Sequence, residues 1–336
     1  MADANYRQLY RTAETLRYKD PPTAIRLLRQ ASALAKEHGD FHEALFMDHW
    51  LLQTYLSVTE DYEQALDLAV QTTVEARKPM YATQTERICV HEDLIKTYLG
   101  IDPIGQAKFI EDAMAYMEKE ANPSVPCYYC MMSVRASFEL NFGATEKAEA
   151  AIQRYYAESE PYSPHYFGLA HTKQCELFYL RGEWEKIIPY AERGIKVIGA
   201  NEFLQTDIAI LWAMQALAHR RLGRESEAML AFQRALNKAG RLNIPLGRVY
   251  YDVMCDFHLA HGELAAALAL RERQLTDVIG KGQPYWESVI RLSYAWILKQ
   301  LGRTYDEQSA LIRHLATKLK KPEIVLNPLA TLEAEA

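Results

Sequence analysis

The stretch Gly223-Arg-Glu-Ser-Glu-Ala228-Met-Leu-Ala-Phe232-Gln-Arg-Ala235-Leu236 decides how this chain is read. A glycine that can take the left-handed backbone conformation ends one helix. Acidic residues then open a second helix, and small or apolar residues recur along it at helical spacing. The 3.6-residue period places Ala228, Met229, Phe232, Ala235 and Leu236 on one face, with Arg224, Glu225, Glu227, Gln233, Arg234 and Lys238 largely opposite.

Outward from this stretch the same punctuation repeats. Gly143, Gly182, Gly223, Gly262 and Gly302 follow one another at intervals of 39, 41, 39 and 40 residues. A second marker lies a few residues past each break: Ala24, Ala65, Ala107, Ala148, Ile187, Ala228 and Ala267, at steps of 41, 42, 41, 39, 41 and 39. A small side chain here lets the second helix of a hairpin lie tightly on the first. Where glycine is missing, Asp20-Pro21-Pro22 and Asp102-Pro103 start helices with proline in the first turn. Thr59-Glu60-Asp61-Tyr62 supplies a cap and an aromatic. Breaks therefore fall near residues 20, 60, 102, 143, 182, 223, 262 and 302. They divide residues 1–321 into about eight helical hairpins, and no sustained two-residue alternation argues for strands. The expected fold class is all-α. Pro189 inside the helix after Gly182 is expected to bend it or loosen its first turns. Residues 322–336 break the pattern, and Ile324, Val325, Leu326, Leu329 and Leu332 are expected to run in an extended, proline-punctuated tail. That tail either covers the exposed end of the last hairpin or docks on a second copy and makes a homodimer.

With Trp212 eleven residues before Gly223, the opening stretch resembles a tetratricopeptide repeat: an early aromatic in the first helix, glycine at the turn, and alanine, aromatic and alanine along the second. Gly182 to Ile195, with Trp184 at the turn, matches less fully. The unit of 39–42 residues exceeds the family's usual length and is similar to the long-helix repeats in the sensor region of MalT-type, LuxR-class activators. The resemblance implies an α-solenoid, a right-handed superhelix whose first helices line a concave groove used for peptides, proteins or occasional small ligands. Counting back from each break, it assigns to that groove Trp50, Thr54, Glu92, Asp93, Lys96, Ser133, Ser137, Thr172, Lys173, Glu176, Arg220, Arg221, Asp252, Asp256, Trp296 and Lys299. Trp50 and Trp296 are the expected anchors, whereas Trp184 and Trp212 are assigned to hairpin cores. The Lys and Asn pattern of carboxylate-clamp repeats does not occur at the matching positions, which hold Thr54, Lys96 and Ser137.

Bulk composition narrows the function class. The 336 residues are 49% hydrophobic and 24% charged, with mean hydropathy −0.25 and formal net charge −6. This balance argues against a nucleic-acid or anionic-membrane surface. Met1-Ala-Asp-Ala-Asn enters an amphipathic pattern without a basic-then-apolar leader, and no apolar run is long enough to span a membrane. Cytoplasmic location is expected. The five cysteines, an odd set scattered through helices, do not read as a disulfide framework. Cys127-Tyr-Tyr-Cys130 has the spacing of a redox pair or half a zinc site. No second pair of ligands accompanies it, although Cys89 and His91 lie one repeat earlier, and two ordinary cysteines are expected. His258 and His261 fit the end of a helix, and His165 and His171 are read likewise. No phosphate loop, zinc-protease helix, nucleophile elbow or dinucleotide fingerprint is present. No cofactor, metal or catalytic residue is expected, and the chain is not read as an enzyme. The expected role is an adaptor or scaffold that holds a protein or peptide. The alternatives are a regulatory sensor of a small molecule or signalling peptide, and a self-associating scaffold.

Overall fold

The computed structural model describes residues 5–143, 145–201, 204–242 and 246–334. Residues 1–4, which carry the N-terminal reading, and residues 335–336 of the tail lie outside them. The described residues contain no strand, and no helix among them is long and apolar enough to cross a membrane. The helices are α1 (Asn5–Leu16), α2 (Pro21–Glu37), α3 (Phe41–Thr54), α4 (Tyr62–Ala76), α5 (Glu86–Ile101), α6 (Ala107–Glu120), α7 (Pro126–Phe142), α8 (Thr145–Ser159) and α9 (Pro164–Arg181). They continue with α10 (Trp184–Ile198), α11 (Gln205–Arg221), α12 (Glu225–Ala239), α13 (Gly247–Leu259), α14 (Leu264–Val278), α15 (Pro284–Gln300), α16 (Asp306–Ala316) and α17 (Glu323–Ala334). Two compact units result. One holds residues 1–134 with 280–283, and the other holds residues 135–279 with 284–336.

The first unit is built on the crossing of second helices over first helices. Ala24 of α2 and Ala65 and Ala69 of α4 are fully buried with Leu51 and Leu52 of α3 and Tyr55 just past its end. Side-chain caps fix where helices begin: Asp20, Asp40 and Asp61 accept from the backbone N–H of Thr23, Glu43 and Gln64. The end of α3 departs from the regular pattern. Its last turn widens into a π-helical segment, Tyr55–Thr59, and Glu60 then adopts left-handed backbone with φ 51°. The Tyr55 carbonyl accepts from Asp61 N–H at 2.9 Å, closing this wide turn. Repeat three is also displaced from the sequence reading. Asp102-Pro103 does not start a helix; the Asp102 carboxylate accepts from Gly105 N–H at 3.0 Å, and α6 begins only at Ala107. The buried crossing residue three places into α6 is therefore Ile110, while Ala107 is half-buried.

In the second unit the glycine turns share one closure. Gly182 has φ 69°, Gly223 and Gly262 73°, and Gly302 65°. In each, the residue after glycine donates its N–H back across the turn: Glu183 to Phe178, Arg224 to His219, Glu263 to His258, Arg303 to Leu298, at 2.9–3.0 Å. Gly143 is used differently. A β-carbon there would come within 2.9 Å of the Glu139 Cα, so close approach to backbone rather than a left-handed turn favours glycine. The crossing residues Ala148, Ile187, Ala228 and Ala267 are all buried. On α12 the buried face is Ala228, Ala231, Ala235 and Ala239, whereas Met229 and Leu236 are exposed, which corrects the face assigned above. The four alanines let α11 approach so closely that larger neighbours are left at the rim. Pro189 sits within an unbroken α10, just past the first turn, where little of the hydrogen-bond ladder precedes it.

The tail is helical, not extended. Pro322 lies just outside α17 and Pro328 only five residues into it. Val325, Leu329 and Leu332 form a helical stripe, buried with Ile312, Ala316 and Leu319 of the last hairpin. Lys299 donates to the Leu332 carbonyl at 2.8 Å, and Arg313 forks onto the Glu333 carboxylate at 2.7 and 2.8 Å. The apolar stripe that was a candidate for dimerisation is thus consumed within its own chain.

Ala228→Leu forces three extra carbons into the closest α11–α12 contact. It is expected to lower unfolding free energy by about 1–3 kcal/mol, measured by urea denaturation, with Met229→Leu at the exposed position as the near-neutral control.

Candidate binding site

In the first unit, α2 and α4 stand apart over α3 and enclose a cleft. Two adjoining hollows of about 410 and 390 Å³ share Lys36, Asp48, Leu68 and Gln71. The α2 wall presents Arg29 and Lys36, and the α4 wall presents Glu63, Asp67 and Glu75. These positions are spaced by one or two helical turns, so each wall carries one sign of charge along its length. The floor is Leu45 and Leu51 of α3, Tyr55 just past its end, and the buried Asp48, whose carboxylate accepts from Ser32 Oγ at 2.5 Å and Lys36 Nζ at 2.8 Å. At one end Lys78 pairs with Glu75 at 2.5 Å, and that ammonium holds the Glu75 carboxyl below its usual range. None of these residues belongs to the groove assigned from sequence, because they sit on second helices and on the core side of α3.

The first helices of the same unit carry a second polar cluster. Asp93, fully buried, accepts from His49 Nδ1 at 2.7 Å and from Gln53 Nε2. Burial alone depresses the His49 pKa, but the adjacent Asp93 carboxylate outweighs it and raises the value. Lys96 pairs with Glu92 at 2.6 Å while a third of its side chain stays open to solvent. Burial opposes its charge, yet Glu92 and Asp93 raise its pKa. Trp50 is half-buried with the Arg17 guanidinium 4.7 Å above its ring, so it is part of the packing and not an open anchor. Thr54 is fully buried and donates to the Trp50 carbonyl at 2.8 Å, which removes it from any open face. Ser133 is half-buried on α7.

The cysteine reading is corrected here. Cys89 of α5 and Cys127 at the start of α7 form a disulfide, with Cα atoms 5.8 Å apart. His91 points elsewhere: it stacks on Tyr116 at 4.3 Å, and burial lowers its pKa to about 4.

In the second unit Asp252 is the hub. Its carboxylate binds Arg271 at 2.6 Å and Arg248 at 2.7 Å. Arg248 also lies 4.4 Å over the Trp286 ring and donates to Asn141 at 2.5 Å, and Phe142 packs 6.0 Å from Trp286. Beside it Tyr179 donates to Asp256 at 2.5 Å; burial raises the Asp256 pKa, and the tyrosine hydrogen bond opposes this. One hairpin earlier, Lys173 pairs with Glu176 at 2.8 Å next to Asp207. Burial pushes the Asp207 carboxyl up to about 6, against the Thr172 hydroxyl and Lys173, and Glu176 adds to the rise. The assigned groove residues Thr172, Lys173, Glu176, Asp252 and Asp256 thus do meet charged partners, and Ser137 is half-buried on α7.

Other assigned residues are placed differently. Arg220 is buried, 3.6 Å over the Phe257 ring, and bonds to the Phe257 carbonyl and Glu225; it ties hairpins together. Arg221 is exposed, 5.7 Å over the Trp184 ring. Lys299 caps α17, and Trp296 is 40% exposed. His258 bonds to Glu263 at 2.5 Å, and His171, its pKa lowered by burial to about 4, packs among Tyr156, Phe167 and Tyr190. Sequence reasoning missed Asp207, Arg248 and Arg271. Arg271 had a signal: it is the first charged residue of its helix, directly after the small and apolar run Leu264-Ala-Ala-Ala-Leu-Ala-Leu270.

Asp207 makes stability depend on pH in a defined direction. The folded chain holds a proton on Asp207 between about pH 4 and 6 that the unfolded chain has released. Its contribution therefore falls as pH rises through that window. Relative to Asp207→Asn, the wild-type chain is expected to lose about 1–2 kcal/mol between pH 4 and 7, allowing for solvent screening, measured by urea denaturation at both ends.

No family model matches this chain, and no curated protein matches it in sequence. A tetratricopeptide repeat protein from Parabacteroides merdae is similar in structure, with a TM-score of 0.52 and 14% identity over 88% of this chain and 99% of that one. The chain has the fold of a tetratricopeptide repeat protein.

Proposed function

We propose that this chain is a non-catalytic adaptor that holds a segment of another protein, and that the α2–α4 cleft is its principal binding surface. The observation that supports this most is the opposition of charge across an open hollow: Arg29 and Lys36 on one wall, Glu63 and Asp67 on the other, over Leu51 and Tyr55. An amphipathic helix with an acidic edge, a basic edge and an apolar stripe between them fits such a cleft. Opposed walls also fix the direction in which that helix lies, because the reversed orientation sets like charges together. In the second unit the partly exposed charges of the first helices, Lys173 and Asp252, form a second candidate surface in keeping with the family's groove. A sensor reading draws on Asp207, whose carboxyl titrates near pH 6 at a half-buried site.

The two surfaces are separable. Arg29 and Asp67 are exposed, so Arg29→Glu with Asp67→Lys is expected to leave the circular dichroism spectrum and melting temperature unchanged. In an affinity pull-down the wild-type chain is expected to retain one stoichiometric protein that the double variant binds at least about tenfold more weakly. Loss through Lys173→Glu, with the double variant intact, moves the site to the first helices. A chain that retains no protein but melts at higher temperature with a metabolite supports the sensor reading instead.

A further inference from the structure

We propose that Cys89, Cys127 and Cys130 form a thiol–disulfide exchange site that takes low-molecular-weight thiols and disulfides of the glutathione type. Cys89 is on α5 and Cys127 is the second residue of α7, so their bond clips two successive first helices together across a 38-residue separation. Both are shielded, with 8% and 9% of their surface exposed. Cys130 lies one helical turn beyond Cys127 and is more open than either. A small thiol therefore meets Cys130 before it can meet the clipped pair.

Three features suit Cys130 to attack the bond. Residues three apart on a helix are neighbours on one face. In the first turn of α7 the Tyr128 N–H is held by the Val125 carbonyl at 3.2 Å, outside the regular helical ladder, so Cys127 can shift by the small amount that a Cys127–Cys130 bond requires. Lys96 of α5 interacts electrostatically with Cys130, so an ammonium stands beside this sulfur.

The exchange is balanced without an outside oxidant. The Cys130 thiolate attacks Cys127 Sγ, the Cys127–Cys130 bond forms, and the Cys89–Cys127 bond breaks. Cys89 leaves as the thiolate and takes up the proton that Cys130 gave up. One small thiolate then attacks the Cys127–Cys130 bond to give a protein–SR mixed disulfide and one cysteine thiol, and a second attacks the SR sulfur, releasing RSSR and the second cysteine thiol, with the two protons of the small thiols passing to the cysteines. Run backwards, a small disulfide supplies the oxidising equivalents. Exchange frees α5 from α7, and α5 carries Glu92, Asp93 and Lys96, so the redox state bears on the first-helix surface of this unit.

The test uses the full-length chain in glutathione buffers, with differential alkylation and mass-spectrometric peptide mapping over time. Reduction of the Cys89–Cys127 bond by reduced glutathione is expected to slow about tenfold in Cys130→Ser, because attack must then fall on shielded sulfurs. Oxidised glutathione is expected to drive Cys89→Ser to a Cys127–Cys130 bond. Reduction of Cys130→Ser at the wild-type rate, or failure of folded Cys89→Ser to form that bond, overturns the proposal. Neither readout involves a protein partner, so the adaptor reading stands or falls separately.

Discussion

The second helix of each hairpin lies against the first through one residue small enough for the two backbones to meet, and most other features follow from that contact. Ala24, Ala65, Ala148, Ala228 and Ala267 are buried at it. In each case the residue lies three places into its helix, so the turn before it must deliver the chain at a fixed angle. The left-handed glycines and aspartate caps provide that angle at almost no steric cost. Where the turn is built differently, the crossing moves with it. Asp102 folds back onto Gly105, α6 starts late, and Ile110 takes the place an alanine holds elsewhere. The spacing of small residues is therefore a consequence of turn geometry.

A tight crossing on one side leaves the opposite side of each first helix to manage its polar residues. Charges buried there cost several kcal/mol each unless they are paired, and the chain pairs them: Asp93 with His49 and Gln53, Asp252 with Arg248 and Arg271, Lys173 with Glu176. Asp207 is the least well compensated, and its raised pKa records the imbalance. Such networks set the helices in one register, since a one-turn slip would strand several charges at once. They also explain why residues expected to face a ligand are already engaged with their neighbours.

That the chain is a series of helices broken at short turns was legible in the sequence, because glycine, proline and alanine report local backbone geometry. The tail was misread for the same reason. Pro322 and Pro328 suggest an extended chain, but one precedes the helix and the other sits near its start, and Val325, Leu329 and Leu332 gain a hydrophobic contact only once α15 and α16 are present. The face of α12 was half right, since the period is readable but the depth of approach of α11 is not. Arg220 looked like an exposed groove residue; its stacking on Phe257 depends on a hairpin later in the chain.

What the sequence by itself determined is the class of fold: helices of set length, their turns and their small-residue crossings, all functions of residues near one another in the chain. Tertiary structure decided the rest. It brought Cys89 to Cys127 and gathered Arg248, Asp252 and Arg271 around one carboxylate. It also opened the α2–α4 cleft, beside the widened π-helical turn at Tyr55–Thr59. Each depends on how far neighbouring helices stand apart, a quantity set by packing between repeats and by backbone detail that no local motif encodes.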